Sequence, residues 1–252
     1  MEKFIAIGDI HGRADLLDLL LHKIKFHGLL TGVTPHRLVF LGDMVDRGPD
    51  SYGVVERVRI MCQDTGAIAL RGNHEDLMLR YFHDKVLRFD RYDIWMMNGG
   101  HKTVDSYVRT TGVESRAQIF EAMARSGHIE FLESLPYWHE AATAFFSHAP
   151  VPVYEYRKGK PFGHPDLMTW STHHDHPGVK EDAFACDQGK LAICGHVHAL
   201  REGILEPRIY KHIVYADTGS GCADWGPLTA VLIENGKYTR HIQAKPTELN
   251  FQ

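Results

Sequence analysis

The sequence predicts an α/β protein built on a largely parallel sheet, and three observations carry that expectation. A short apolar run ended by a glycine and a polar residue, then followed by apolar residues at helical spacing, occurs three times within about the first 80 positions. Later apolar runs are short, bounded by turn residues and rich in β-branched or aromatic side chains, as strands are. The chain has 252 residues, 44% of them hydrophobic, which is enough for one large domain to bury a proper core, and a single domain over residues 1–252 is expected.

In order, Phe4 to Ile7 is the first strand, stopped by Gly8-Asp9. Leu16, Leu17, Leu19, Leu20, Leu21 and Ile24 then recur at helical spacing after Gly12. Arg37 to Leu41 is the second strand, ended by Gly42-Asp43. Gly48-Pro49-Asp50 turns the chain into a helix carrying Val54, Val55, Val58 and Met61, with Asp50 or Ser51 as its N-cap. The third unit runs from Ala67 to Leu70, breaks at Gly72-Asn73 and continues as a helix with Leu77, Met78, Tyr81 and Phe82. Three such units imply parallel strands joined by crossover helices. From Trp95 to Leu135 the pattern is helical with a break at Asn98-Gly99-Gly100, so residues 91–135 are expected to form a helical cap. Strand signals return at Tyr137 to Glu140, Thr143 to Ser147, Leu191 to Cys194, Lys211 to Tyr215, Leu228 to Ile233 and Tyr238 to His241. Asn235-Gly236 makes a hairpin turn between the last two. Pro150 to Gln188, with five prolines and a His-His-Asp-His tract, reads as a long irregular insertion of the kind that usually serves function.

Composition excludes several classes of function. With 28 Lys and Arg against 32 Asp and Glu, the formal charge is −4, too little for non-specific recruitment of nucleic acid or anionic lipid. No apolar run approaches the roughly 18 residues a membrane span needs. The four cysteines (Cys62, Cys186, Cys194 and Cys222) form no C-x-x-C pair and read as reduced thiols, which favours a cytoplasmic location. The anomaly is 18 histidines, since imidazole is the commonest transition-metal ligand.

In an open α/β sheet, ligands bind beyond the carboxyl ends of the strands. The loops leaving those ends read Gly8-Asp9-Ile10-His11-Gly12, Gly42-Asp43-Met44-Val45-Asp46-Arg47-Gly48, Gly72-Asn73-His74-Glu75, Ser147-His148-Ala149 and Gly195-His196-Val197-His198. Any one of them could be an ordinary turn or helix cap. Five on one edge need another explanation, because carboxylates packed among imidazoles are costly unless divalent cations neutralise them. An oxygen and imidazole ligand set without thiolate suits Mn, Fe or Zn and argues against a structural zinc site.

The motifs GDIHG, GDMVDRG, GNHE, SHAP and GHVH, in this order, resemble the calcineurin-like metallophosphoesterase superfamily. DRG with GNHE is similar to its phosphoprotein phosphatase branch, and within it to bacterial and phage serine/threonine phosphatases and symmetrical diadenosine tetraphosphatases. Trp95 to Tyr107, Phe131 to Pro136, Asp217-Thr218-Gly219 and Leu228-Thr229-Ala230 extend the likeness over most of the chain. The resemblance implies two mixed sheets packed face to face with helices outside. It implies two divalent metal ions, Mn first with Fe or Zn as alternatives. Asp9 and His11 would bind the first ion, Asp43 would bridge both, and Asn73, His148 and His196 would hold the second. Phosphatases of this branch usually read Gly-His-Thr where this chain has His198; in the wider superfamily a histidine there completes the first metal's shell.

Two ions about 4 Å apart can share a hydroxide and hold a phosphate for in-line attack. Arg47 is the expected clamp on phosphate oxygens, beside Asn73. His74 is the expected acid for the leaving oxygen, oriented by Asp46. Arg71 and Glu75 are expected to tie neighbouring loops together. Relatives often carry Trp-x-Arg where this chain has Thr172, so Arg157 or Arg201 would replace that contact or the substrate would be held more weakly. The tract His173 to His176 is read as a solvated loop rather than a third metal site. The expected activity is a phosphomonoesterase on phosphoserine or phosphothreonine in a phosphoprotein or small phosphoester. A symmetrical diadenosine tetraphosphate hydrolase and a phosphodiesterase are the alternatives.

Overall fold

The computed structural model describes residues 2–31, 34–83, 94–114, 116–151, 169, 189–198 and 200–251. Strands β1 (Lys3–Ile7), β2 (Arg37–Phe40) and β3 (Ile68–Ala69) alternate with helices α1 (Ala14–Phe26), α2 (Ser51–Thr65) and α3 (Asn73–His83). A π-turn at Met96–Gly100 leads into α4 (His101–Thr111), α5 (Arg116–Arg125) and α6 (His128–Ser134). Then follow β4 (Trp138–Glu140), β5 (Ala144–Ser147), β6 (Leu191–Cys194), β7 (Arg208–Ile209), β8 (Ile213–Tyr215), β9 (Leu228–Glu234) and β10 (Lys237–Ala244). The strands build two five-stranded mixed sheets, ordered β10-β9-β1-β2-β3 and β4-β5-β6-β8-β7.

The three βα units behave as the sequence predicts: β1, β2 and β3 are mutually parallel. Asp50 is the N-cap of α2, its carboxylate accepting from Gly53 N at 2.9 Å. The sheet is nonetheless mixed, because β9 joins β1 antiparallel and β10 follows it through the Asn235-Gly236 hairpin. Strand periodicity then divides the core. Phe4, Ala6, Val39, Leu41, Val231 and Ile233 face the second sheet, meeting Ala144, Phe146, Leu191, Ile193 and Val214. Their neighbours Ile5, Ile7, Leu38, Phe40, Ala230 and Leu232 point the other way into the helices. β7 was not anticipated: a two-residue strand gives no periodic signal.

The described residues of the segment expected as a cap are largely helical. The segment is not a separate lid, however, since Trp95, Tyr107, Ile119, Met123, Ile129 and Leu132 share one core with α1, α2 and α3. The outer face of the second sheet carries its own buried cluster of Ala192, Cys194, Val197, Ile213 and Tyr215. Among the described residues no helix is long and apolar enough to cross a membrane, and Cys62, Cys194 and Cys222 are free thiols. The Pro150 to Gln188 expectations fall almost wholly outside the described residues: Arg157, Thr172 and the His173 to His176 tract. The side chain of Arg201 lies outside them as well.

Candidate active site

Strands β5, β6 and β8 are mutually parallel, like β1, β2 and β3, so six carboxyl ends supply the loops around the site. Five were anticipated. The sixth, after β8, adds Asp217, a buried carboxylate whose Oδ1 accepts from Gly219 N at 2.8 Å.

Asp43 stands at the centre. Its Oδ1 lies 3.4 Å from His148 Nε2, and its Oδ2 lies 3.5 Å from His11 Nε2 and 3.9 Å from His74 Nε2. One carboxylate therefore belongs to two clusters of potential ligands, His11–Asp43–His74 and Asp43–His148–His196, with ligand atoms within 4.8 Å of one another in each. Glu75 holds this carboxylate's loop in place. Its buried side chain accepts from Gly72 N and Asp43 N, each at 2.8 Å, and from Met44 N at 2.7 Å. It thus ties the second and third loops together, as expected. A side chain at Gly72 would put its Cβ 2.1 Å from Asp43 Oδ1, so only glycine lets the loops approach this closely. Arg71 ties the third loop to α6 and to the residue before β4, donating to the Glu133 carbonyl and, at 3.1 Å, to Tyr137 Oη.

Hydrogen bonds fix the imidazoles. Because arginine only donates, Arg47 Nη1 at 2.8 Å from His11 Nε2 and Nη2 at 2.9 Å from His74 Nε2 make both nitrogens acceptors. Their protons are then on Nδ1, where His11 donates to Val45 O at 2.9 Å and His74 to Asp46 Oδ2 at 2.7 Å. The Asp46–His74 pair expected from the sequence is present. His148 likewise donates from Nδ1 to Leu41 O at 2.8 Å and turns Nε2 toward Asn73 Oδ1 at 2.9 Å. Asp9 accepts from His196 N at 3.1 Å and lies 4.0 Å from His11 Nε2.

The site draws positive charge on both sides of Asp43. On one side the Arg47 guanidinium sits between His11 and His74. On the other, the amide position of Asn73 that meets His148 Nε2 also lies 3.1 Å from His196 Nδ1 and 3.3 Å from Asp43 Oδ2. With the amide oxygen there, acceptors face acceptors unless a cation stands among them. Burial opposes charge on His148, yet Asp43 and Asp9 push it up to about 10. Burial likewise opposes charge on Asp43, and His148, His74 and His11 outweigh it, holding the carboxyl well below its ordinary range. Burial, reinforced by Asp217, raises Asp9. Burial, with Arg47 and His74 nearby, keeps His11 neutral, and burial with His148 holds His196 down to about 3. Neutral His11 and His196 and a protonated His148 surround the ionised central carboxylate; once His148 gives up its proton they form a donor set that suits divalent cations.

Two expected ligands, Asp9 and His198, lie outside both clusters, and His74 takes a place in the first; His198 makes other contacts. Its Nδ1 accepts from Leu200 N at 3.4 Å, and it lies close enough to Asp217 to lower that residue's burial-raised pKa. Four contributors escaped sequence reasoning about roles. Asp217, Trp95 and Thr103 lie in stretches whose likeness to the family was visible, but nothing local marked their contacts. Cys222 accepts from Arg47 Nη1 at 2.8 Å from a position 175 residues away.

This fold, with two imidazole and carboxylate clusters sharing one carboxylate at its strand ends, defines the class of metal-dependent phosphatases. The chain belongs to the calcineurin-like phosphoesterase family, whose model matches residues 2–200. It is 27% identical to the asymmetrical bis(5'-nucleosyl)-tetraphosphatase PrpE of Oceanobacillus iheyensis over 90% of this chain and 87% of that one. It is 28% identical to serine/threonine-protein phosphatase 1 of Salmonella typhimurium over 60% and 62%. A crystal structure described as a candidate diadenosine tetraphosphatase superposes with TM-score 0.57 at 19% identity, covering 97% of this chain and 93% of that one.

Proposed function

We propose that the protein is a single-domain, cytoplasmic, manganese-dependent phosphomonoesterase whose substrate is phosphoserine or phosphothreonine. The first ion would be held by Asp9, His11 and Asp43, with His198 offering Nε2 because its Nδ1 is engaged by Leu200 N. The second would be held by Asp43, Asn73, His148 and His196. When bound, the two ions lower the pKa of water and offset phosphate charge. Arg47, whose Nη1 and Nη2 donate to His11, Cys222 and His74 in this structure, would turn N–H donors to phosphate oxygens when substrate and ions are bound, with Asn73 beside it. His74, whose Nε2 accepts from Arg47 in this structure, would act as acid once Nε2 takes up a second proton, passing it to the leaving oxygen while Asp46 holds Nδ1–H and offsets the charge on the ring.

The observation that carries this reading is the Arg47 guanidinium, within 2.9 Å of both His11 and His74. It gathers an anion clamp, a proton donor and the shared carboxylate around one point. A second reading, hydrolysis of a dinucleoside tetraphosphate, is favoured by relatives of that name that match nearly the full length of the chain. The test is a substrate panel on metal-stripped protein reconstituted with Mn, Zn, Fe or Mg. The proposal expects the highest kcat/KM on phosphoserine or phosphothreonine peptides with Mn. A higher kcat/KM on diadenosine tetraphosphate selects the second reading, and the products, two ADP or ATP with AMP, report where it is cut.

A further inference from the structure

Asp46 is fully buried, and its carboxylate meets more than His74. Trp95 Nε1 donates to both carboxylate oxygens at 3.1 Å, and Thr103 Oγ1 donates to Oδ1 at 2.6 Å. Thr103 Oγ1 also accepts from Asp46 N at 2.9 Å and stands 3.0 Å from Ser51 Oγ. A hydroxyl has one proton, and since Thr103 spends it on the carboxylate, the Ser51 proton is the one shared between the two hydroxyls. All four residues are buried. Three donors therefore fix the carboxylate plane, and with it the direction of the His74 ring.

The same short segment holds the next residue. Gly99 O accepts from Arg47 N at 3.3 Å, and Gly99 has φ +103°, with space for no Cβ: one would lie 2.8 Å from Arg47 N. Asp46 and Arg47 themselves sit at φ 72° and 64°, a left-handed pair that needs outside contacts to persist. The turn from Trp95 to Thr103 supplies them.

We propose that Trp95 and Thr103 are positioning residues for the leaving-group acid, acting through Asp46, so that the segment before and within α4 belongs to the catalytic machinery. This rests on the reading of His74 as that acid. Loss of an outer partner of this kind typically costs about 10- to 100-fold in activity. Acid assistance matters more for a basic leaving oxygen, so the loss should depend on the ester.

The experiment compares Trp95→Phe, Thr103→Val, Thr103→Ser and His74→Asn on phenyl phosphate and 4-nitrophenyl phosphate, with calorimetric Mn titration and circular dichroism on each. Trp95→Phe and Thr103→Val are expected to lower kcat on phenyl phosphate at least about tenfold more than on the nitrophenyl ester. KM and both Mn affinities should stay unchanged, and Thr103→Ser should restore the parent pattern. Thr103→Val, with its small change of shape, keeps the test available if Trp95→Phe misfolds. Equal losses on the two esters in these variants, beside a selective loss in His74→Asn, overturn the inference and leave the acid in place. Equal losses in all, His74→Asn included, overturn both.

Discussion

Among the described residues, six besides glycine adopt a left-handed backbone, and five of them are His11, Asp43, Asp46, Arg47 and His196. Such conformations cost of order 1–3 kcal/mol each and persist where the surroundings over-determine them. Here the loops are bent so that their side chains converge on Asp43. Asp43→Asn is accordingly expected to lower turnover at least about a thousandfold, since a neutral amide can neither balance two cations nor bridge them. Circular dichroism should be unchanged while metal content falls; full activity with normal metal content would remove Asp43 from the centre. Most of this chemistry was legible in the sequence, because Asp9, His11, Asp43, Asn73 and His196 each follow an apolar run that stops at or near a glycine, and His148 follows one that stops at Ser147. The partners that orient them were not. Trp95 lies 49 residues from Asp46 and Cys222 lies 175 from Arg47, and such separations leave no local pattern.

At the scale of elements, α2 is fastened to the helical segment by a second buried polar group. His128, fully buried on α6, stands 2.6 Å from Tyr107 Oη of α4 and 3.0 Å from Glu56 Oε2 of α2. The carboxylate accepts the Nε2 proton and the phenol donates to Nδ1, so a neutral ring satisfies all three. Burial lowers the pKa of His128 below 6.5, and Arg59, helped by His128, lowers Glu56 to about 2. His128→Ala removes this hub and leaves the Tyr107 hydroxyl without its acceptor, a loss of about 2–4 kcal/mol read from the denaturant midpoint at pH 8. The depressed histidine contributes stability above its unfolded pKa and forfeits it as pH falls below 6.5, while the Glu56 contribution is lost between 4.5 and about 2. The gap between parent and variant should therefore narrow from pH 8 to pH 5. A constant gap would mean that His128 packs as shape alone. Helical periodicity announced the segment but not its docking, since apolar spacing marks a buried stripe without naming what covers it.

At the scale of the molecule, two sheets meet face to face so that six parallel strands end on one edge, three from each. The first three were readable from the repeated βα units; the second sheet, with β8 and its Asp217, forms through pairings distant in sequence. That convergence loads one edge with Asp9, Asp43 and Asp217, and the metal-free protein meets the charge with Arg47 and with a proton on His148. On the proposed assignment, divalent cations replace that arrangement with a better one. A ligand bound only by the folded state at 100 times its Kd adds about 2.7 kcal/mol, which for a chain of this size raises Tm by about 5–10 °C. His148 gives the effect a pH dependence of known sign. Its pKa is raised to about 10 when folded, so the metal-free protein has that contribution in full below pH 6.5 and loses it as pH rises through about 10. Metal binding must displace the same proton, and does so more easily as pH rises. The gain in Tm from saturating Mn should thus be larger at pH 8.5 than at pH 6, measured by calorimetry against a chelator-treated control. A gain that is absent, or equal at both values, would separate the ions from the His148 cluster and place them elsewhere on the molecule.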